Sequence, residues 1–428
     1  MYEVIKELLS GEQIPPFYAV HYQMPYQKID DIEGTICREL EQKALLDRIA
    51  PGDRVAITAG SRQIGNLVRI LKTVVELVKR RGAEPYIVAA MGSHGGATGE
   101  GQRSILTDYG ITEQSVGCPV VSDMATSFVG RTENGLDVYI DSFAASCDKI
   151  IVVNRVKVHT DFHGPVESGL AKMIAIGLGK QHGAEICHKL GFPSMSENIR
   201  QIADVVLREK PVAFGLAIVE DAFHNTAELT AVPAERFAAD EPAILERARA
   251  LMPRIPYDKI DILIVDEIGK NFSGAGMDPN VTGRSPRLGI SAPFAERIVV
   301  LNISEQSHHA GTGIGNADAI TRQAYENFSF DVTYANGITS NDPESIKIPA
   351  VMPGDEWAIR FAMNVLMGDR AGKIPRIVWI KNTTAQSEVS GSASLLDATE
   401  RSDCLTVLDG PLTAEFDADG SLTGFRAV

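Results

Sequence analysis

The feature that most constrains this chain is a repeated change of period. Short apolar runs of strand length alternate with stretches of helical spacing. Residues 54–58 (RVAIT) form one such run, and 64–81 carry apolar side chains at 64, 67, 68, 71, 74, 75 and 78. Gly82 then breaks the helical period, and 86–90 (YIVAA) is the next run. Further on, the spacing predicts a helix over 99–108, a hairpin turn at Asn134-Gly135 and a third strong strand over 149–158 (KIIVVNRVKV). Period-2 and fully apolar runs separated by 3.6-period stretches imply right-handed βαβ crossovers and a mostly parallel sheet. The pattern resumes after Pro253 with strands at 260–265 and 298–303, a helix over about 317–328 and a strand at 377–380. The expected fold class is therefore α/β, with two α/β domains over 1–254 and 255–428, mostly parallel sheets and an active-site cleft between them. An acidic helix at about 239–251 is expected to bridge the two, and the tail beyond 387 has small-residue turns and short β-like runs.

Charge and cysteine use exclude several function classes. The chain has 428 residues, with 41 Lys plus Arg against 56 Asp plus Glu, a formal net charge of -15. Such a surface repels phosphate backbones and anionic lipid, so neither nucleic acid nor membrane is an expected partner. An anionic substrate must then be drawn in by a local cationic pocket. The five cysteines are scattered without a CxxC pair, as reduced thiols of a cytoplasmic protein are. The first residues, MYEVIKELLSGEQ, lack the apolar core of a signal peptide, and no apolar run approaches the roughly 20 residues needed to span a bilayer.

Polar residues that interrupt this pattern fall at corresponding places. Ser61 and Arg62 follow the first strand, His94 in MGSHGG follows the second, and His159 follows the third. Ligands of open parallel sheets bind beyond the carboxyl ends of the strands, so three loops aim an arginine and two histidines at one crevice. Taken singly, each has a plain structural role: a loop histidine, a turn glycine, an arginine capping a helix. Lys172 is more telling, because its neighbours in SGLAKMIAIGLG are all apolar, glycine or small. A lysine there either lays its stem over apolar surface or has a partly desolvated, nucleophilic amine. His182 and His188 are six residues apart, about 600° of helix, so they do not share a face as a metal pair. No complete protein metal site emerges from spacing. The loop 308–316 (HHAGTGIGN) is expected to follow a strand and open a helix, either presenting N–H groups to an anion or serving only as a glycine-rich turn.

Four segments, GSHGGATGEGQ (92–102), KVHTDFHGPVESGLAK (157–172), the interval from Lys172 to His188, and GKNFSGAGMDPNVTGR (269–284), resemble the lactate racemase family. The likeness extends to its 2-hydroxyacid racemase and epimerase homologues. The resemblance implies a nickel-pincer nucleotide (pyridinium-3,5-bisthiocarboxylic acid mononucleotide nickel) held covalently by Lys172, with His188 as nickel ligand. It implies His94 and His159 as catalytic acid and base, alternating in role. Ser61 and Arg62 would bind the cofactor, Arg62 would also bind the anionic substrate, and Lys270 and Arg284 are candidate substrate cations of the second domain. Soft sulfur donors with an imidazole suit square-planar nickel. Two departures stand out: Gly95 occupies the place of a basic residue, and the stretch from His159 to Lys172 is longer and includes His163. The implied activity is cytoplasmic racemisation or epimerisation of a small anionic 2-hydroxy acid or sugar acid, with cofactor-biosynthesis proteins as maturation partners. The alternatives are a non-catalytic small-anion binder on the same fold and a zinc or iron enzyme ligated by His94, His159 and His188.

Overall fold

The structure is a computed structural model, which describes residues 2–285, 289–290, 294–340, 342–368 and 372–428. The chain forms two compact units, Pro25–Met252 and Met1–Met24 with Pro253–Val428. This differs from a division at 254 in the placement of the N-terminal stretch. Strand β1 (Phe17–Tyr22) pairs antiparallel with Glu388–Ser392 and Leu405–Phe416. Its Phe17, Val20 and Tyr22 are buried while His21 is exposed, which suits a sheet with one face partly open to water.

The unit Pro25–Met252 carries β2 (Arg54–Ala59), β3 (Glu84–Ala89), β4 (Val120–Val121), β5 (Thr126–Arg131), β6 (Asp137–Asp141), β7 (Lys149–Arg155), β8 (Val212–Glu220) and β9 (Thr226–Pro233). Its main sheet has the order β4-β3-β2-β7-β8-β9, parallel throughout except for β9. The central strands are apolar on both faces because helices cover both, which is why 54–58 and 149–155 read as continuous apolar runs. The helix Leu67–Arg80 starts three residues later than its apolar period suggests. Asn66 is left-handed (φ 60°), and the Gly65 N–H donates to the Glu220 carboxylate at 2.6 Å, so residues 64–66 are a fixed turn. The helix Gly99–Asp108 lies where its spacing puts it, capped by Thr98. β5 and β6 form the hairpin expected at Asn134-Gly135.

Sheet order decides where a ligand can sit. From β2 the chain builds outward through β3 and β4, then returns to add β7 and β8 on the other side. The reversal lies between β2 and β7, and the crevice beyond their carboxyl ends is the natural ligand position of such a sheet. The acidic helix, Phe237–Leu251, packs on β8 and on the segment Leu170–Lys172 of this same unit.

The other unit has a nine-stranded sheet. Ala350–Met352, Ala319–Thr321, Phe294–Ile303, Lys259–Ile268 and Ile377–Ile380 are parallel, and Glu388–Ser392, β1, Leu405–Phe416 and Leu422–Ala427 extend it antiparallel. The helix expected over 317–328 is shorter: Ala319–Thr321 is a buried strand, and only Arg322–Glu326 is helical. Pairing on both edges and full burial of Ala-Ile-Thr outweigh local helical spacing. The loop 308–316 therefore leads into a strand, and a helix N-terminus for an anion is absent there. Among the described residues no helix is long and apolar enough to cross a membrane.

Candidate active site

The loops after β2, β3 and β7 leave three adjacent strands of one sheet. After β2, the Ser61 hydroxyl contacts His94 Nδ1, and the Tyr109 hydroxyl donates to the Ser61 carbonyl at 3.1 Å. Arg62 comes next. Although exposed by area, its guanidinium is held below its ordinary pKa, first by desolvation and then by the nearby charge of Arg155. Arg155 itself is neutralised by buried Glu220. Among the described residues no carboxylate pairs with Arg62, so a positive charge stands at the switch point of an acidic chain.

After β3, the 91–102 loop is folded around a buried polar chain. Lys180 is fully buried and pairs with equally buried Asp141 at 3.1 Å. Its ammonium donates to the Ala89 carbonyl at the end of β3 and to Gln102 Oε1. Gln102 Nε2 in turn donates to the carbonyls of Gly92 (2.9 Å) and His94 (3.3 Å). Gly95 explains its own departure from the family pattern: its φ is +68°, and a Cβ there would lie 2.6 Å from the Gln102 nitrogen. No side chain, basic or otherwise, fits at that point.

After β7, residues 157–168 form a closed loop, tied by paired backbone bonds between Lys157 and Ser168. Buried Glu167 organises it, accepting from the His159 N–H at 2.6 Å and the Gly164 N–H at 3.4 Å, and pairing with His163 at 3.2 Å and Arg249 at 3.1 Å. The His159 ring stacks on Phe162 with centroids 4.2 Å apart. Its Nδ1 accepts the Asp161 N–H at 3.0 Å. Burial holds its pKa well below the usual histidine value, and the charges of Lys172, Lys157, His188 and His163 add to the effect.

Lys172 ends the short helix Leu170–Lys172, which leads into a π-helical turn, Met173–Leu178. Two groups fix this segment. Asn154 at the end of β7 donates to the Gly169 carbonyl at 2.7 Å, and buried Glu241 accepts the Ala171 N–H at 2.9 Å. Among the described residues no cation pairs with Glu241, and burial raises its pKa to about 7. The Lys172 amine lies 5.5 Å from the centroid of the Phe162 ring. Desolvation lowers its pKa to about 8, with Asp161 opposing and Lys157 and Arg62 assisting. A neutral amine is then accessible near pH 7, as a nucleophilic lysine requires.

His188 ends the helix Lys180–His188. Its Nδ1 lies 2.6 Å from the Ala184 carbonyl, which can only accept, so in the neutral ring Nδ1 carries the proton and Nε2 keeps its lone pair. That is the tautomer a metal ligand needs. His182, on the same helix, stacks on Tyr139 with centroids 4.2 Å apart. Lys172 and His188 both act electrostatically on His159, and Arg62 acts on Lys172, so these four residues share one locality. His94 joins it through Ser61, the residue before Arg62. Among the described residues, no three His, Cys, Asp or Glu side chains gather as a metal site, so the zinc or iron alternative has no protein ligand set there.

The two second-unit cations are placed differently. The Arg284 guanidinium pairs with Asp318 at 2.6 Å and donates to the carbonyls of Ala295, Glu296 and Asn316. Those four oxygens hold its two terminal nitrogens within its own unit. Lys270 is exposed and donates to Asn336 Oδ1 at 2.5 Å.

Residues 17–199 match the family model described as the lactate racemase N-terminal domain. Over that stretch the chain is similar to the lactate racemase N-terminal domain. The matched stretch contains Ser61, Arg62, His94, His159, Lys172 and His188, and ends within the helix Met195–Glu209. Among solved structures, the chain is similar to the lactate racemase apoprotein from Thermoanaerobacterium thermosaccharolyticum. The identity is 14% and the TM-score 0.46, over 67% of this chain and 74% of that one. Among curated proteins no match was found.

Sequence reasoning missed Glu167, Glu241, Tyr109 and the chain Asp141–Lys180–Gln102. A signal existed for two of them. Lys180 closes the same apolar run that singled out Lys172, and Glu167 stands between Val166 and Ser168-Gly169-Leu170. Charged residues in apolar surroundings are buried only with partners.

Proposed function

We propose that this protein racemises or epimerises a small 2-hydroxycarboxylate or sugar acid, using a nickel-pincer nucleotide tethered to Lys172. The observation that carries this reading is the pairing, in one locality, of a desolvated amine at Lys172 with a histidine whose Nε2 is free of the proton at His188. The first is the group that makes a covalent link. The second is the donor such a cofactor requires from the protein, since the cofactor brings its own sulfur and carbon donors. When bound, the nucleotide supplies the hydride-accepting centre of the reaction.

The remaining roles belong to the chain. Arg62, a cation with no carboxylate partner among the described residues, binds the substrate carboxylate and fixes the C2 substituents. His94 and His159 attend the hydroxyl oxygen, where a proton must leave as the C2 hydrogen departs with its electron pair. Positioned acid or base groups contribute about 10²–10⁴-fold, so the larger share of rate comes from the cofactor and from alignment. The protein works in the cytoplasm, and cofactor-biosynthesis proteins load it.

The test is chemical. The protein is co-produced with cofactor-biosynthesis proteins and nickel, then given single enantiomers of short 2-hydroxy acids and single epimers of aldonic acids. Chiral chromatography should show both isomers of one acid converging on the same mixture, and none with Lys172→Ala. Loaded wild-type protein that binds such an acid and interconverts none of them is an anion binder, and this reading is then wrong.

A further inference from the structure

The segment that carries Lys172 and His188 turns on a buried charge. Lys180 lies midway along the chain between them, where the π-helical turn Met173–Leu178 gives way to the helix Lys180–His188. Its φ is 54°, a conformation that L side chains rarely adopt. The side chain is fully buried, with its ammonium on the Ala89 carbonyl, on Gln102 Oε1 at 3.3 Å and beside the Asp141 carboxylate at 3.1 Å. From this we propose that Lys180, with Asp141 and Gln102, is a positioning group. It locks the bend between the tether lysine and the metal-binding histidine, and fixes both against the loop that carries His94. The inference rests on the racemase reading above and leaves His94 and His159 as acid and base.

A junction of two helix types at a left-handed residue is where such a segment bends. Gly179, just before it, has no room for a side chain, since a Cβ would stand 2.4 Å from the Ala175 carbonyl. The π-helical turn also presses on the His94 loop. The Gly92 N–H donates to the Gly177 carbonyl at 3.2 Å, and a Cβ on Gly177 would lie 2.9 Å from the Ala90 carbonyl. Gln102 carries the lock onward, because its Nε2 donates to the carbonyls of Gly92 and His94. Asp141 anchors the other side: it ends β6, and its Oδ1 accepts the Ala144 N–H at 2.8 Å. One ammonium therefore ties together the ends of β3 and β6, the helix Gly99–Asp108 and the midpoint of the cofactor-holding segment.

Stability alone does not account for this arrangement. Taking an ammonium and a carboxylate out of water offsets most of their attraction, and apolar residues of similar volume hold a core as well or better. What the pair supplies is direction: an ammonium has three donors, and here three acceptors surround it. Direction matters because a displacement of about 1 Å between reacting groups lowers a rate on the order of 10²-fold. Arg62, which binds the substrate carboxylate, follows a different strand, β2. Loss of the lock therefore lowers turnover and spares substrate binding and the covalent link.

Two variants of the full-length protein keep the test independent of gross unfolding. Gln102→Met retains the size of the side chain and loses its donors to the Gly92 and His94 carbonyls. Asp141→Asn combined with Lys180→Met removes both charges at once, so no carboxylate is left buried alone, and Asn keeps an oxygen for the Ala144 N–H. Val75→Ala, a core truncation in the helix Leu67–Arg80, controls for general loss of stability. In protein without cofactor, hydrogen exchange read by mass spectrometry should quicken at least about tenfold over 90–102 in both variants, with 149–155 unchanged, and Val75→Ala should show no such local change. Unchanged exchange over 90–102, or a rise spread evenly along the chain, overturns the proposal. In loaded enzyme, both variants should keep the Lys172 adduct and a KM within about threefold of wild type, while kcat falls about 10–100-fold. Wild-type kcat in both, or a kcat that falls only as the adduct is lost, also overturns it. If loaded wild-type protein racemises nothing, the racemase reading fails, and the exchange result still upholds or overturns the lock on its own.

Discussion

Both units build a parallel sheet whose strand order reverses, and the two reversals are finished in opposite ways. In the unit Pro25–Met252 the reversal lies between β2 and β7, and the groups beyond it are left electrically unbalanced. Among the described residues Arg62 has no carboxylate partner, Lys172 is desolvated, and His159 is buried near Lys172 and Lys157. In the other unit the reversal lies between Lys259–Ile268 and Ile377–Ile380, and the loops there spend their polar groups on each other. The Glu267 N–H donates to the Lys381 carbonyl at 3.0 Å, and the Asp278 N–H donates to Thr383 Oγ1 at 3.1 Å. Gly276, left-handed at φ +81°, lets its loop press on the Thr312 carbonyl, 1.7 Å from where a Cβ would stand. Arg284, in the same unit, has four oxygen acceptors. The contrast teaches that position in the topology marks a possible site, and unspent charge marks a used one.

Substitutions break or sharpen this contrast. The largest effect belongs to Arg62→Met, which removes a cation that the fold does not need. It should lower kcat/KM for an anionic acid by about 10–100-fold, mostly through KM, with stability changed by less than about 0.5 kcal/mol. Arg284→Met should do the reverse. We expect a loss of about 1–3 kcal/mol in denaturant unfolding, from stranded carbonyls and Asp318, with kcat per folded molecule unchanged. If the two variants exchange signatures, the division between spent and unspent charge is wrong.

The smallest effect sharpens the role of Glu241 beneath Lys172. Its folded pKa of about 7 lies above the ordinary 4.5, so between those values the folded protein binds more protons than the unfolded chain. Its contribution is fully present below pH 4.5 and is lost as pH rises toward about 7. Thermal unfolding of Glu241→Gln, measured across that window, should show a flatter decline than wild type. An identical slope would mean that Glu241 is not the buried acid described above.

The sequence is most informative where apolar runs are long. β2, β7, Gly99–Asp108 and the Asn134-Gly135 hairpin follow directly from spacing. So does the placement of Ser61, Arg62, His94 and His159 after three strands, which the order β3-β2-β7 makes neighbours. What spacing does not reveal depends on pairing across long separations. Ala319–Thr321 is a strand because strands on either side pair with it, and β1 belongs with residues nearly four hundred positions away. The same holds for Glu167 and Arg249, and for Glu241 and Ala171, whose partnerships exist only once the helix Phe237–Leu251 packs on β8. The roles of the histidines were least legible, because a tautomer is set by one backbone group two or four residues away and by the turn that aims it.

The claim at the centre is that Lys172 holds the cofactor and His188 its metal. Peptide mass spectrometry of protein co-produced with cofactor-biosynthesis proteins and nickel tests it most directly. The Lys172 peptide should carry the mass of a covalently bound nucleotide, lost in Lys172→Ala and kept, without stoichiometric nickel, in His188→Ala. An unmodified Lys172 peptide in protein that still interconverts the enantiomers of a hydroxy acid would contradict it.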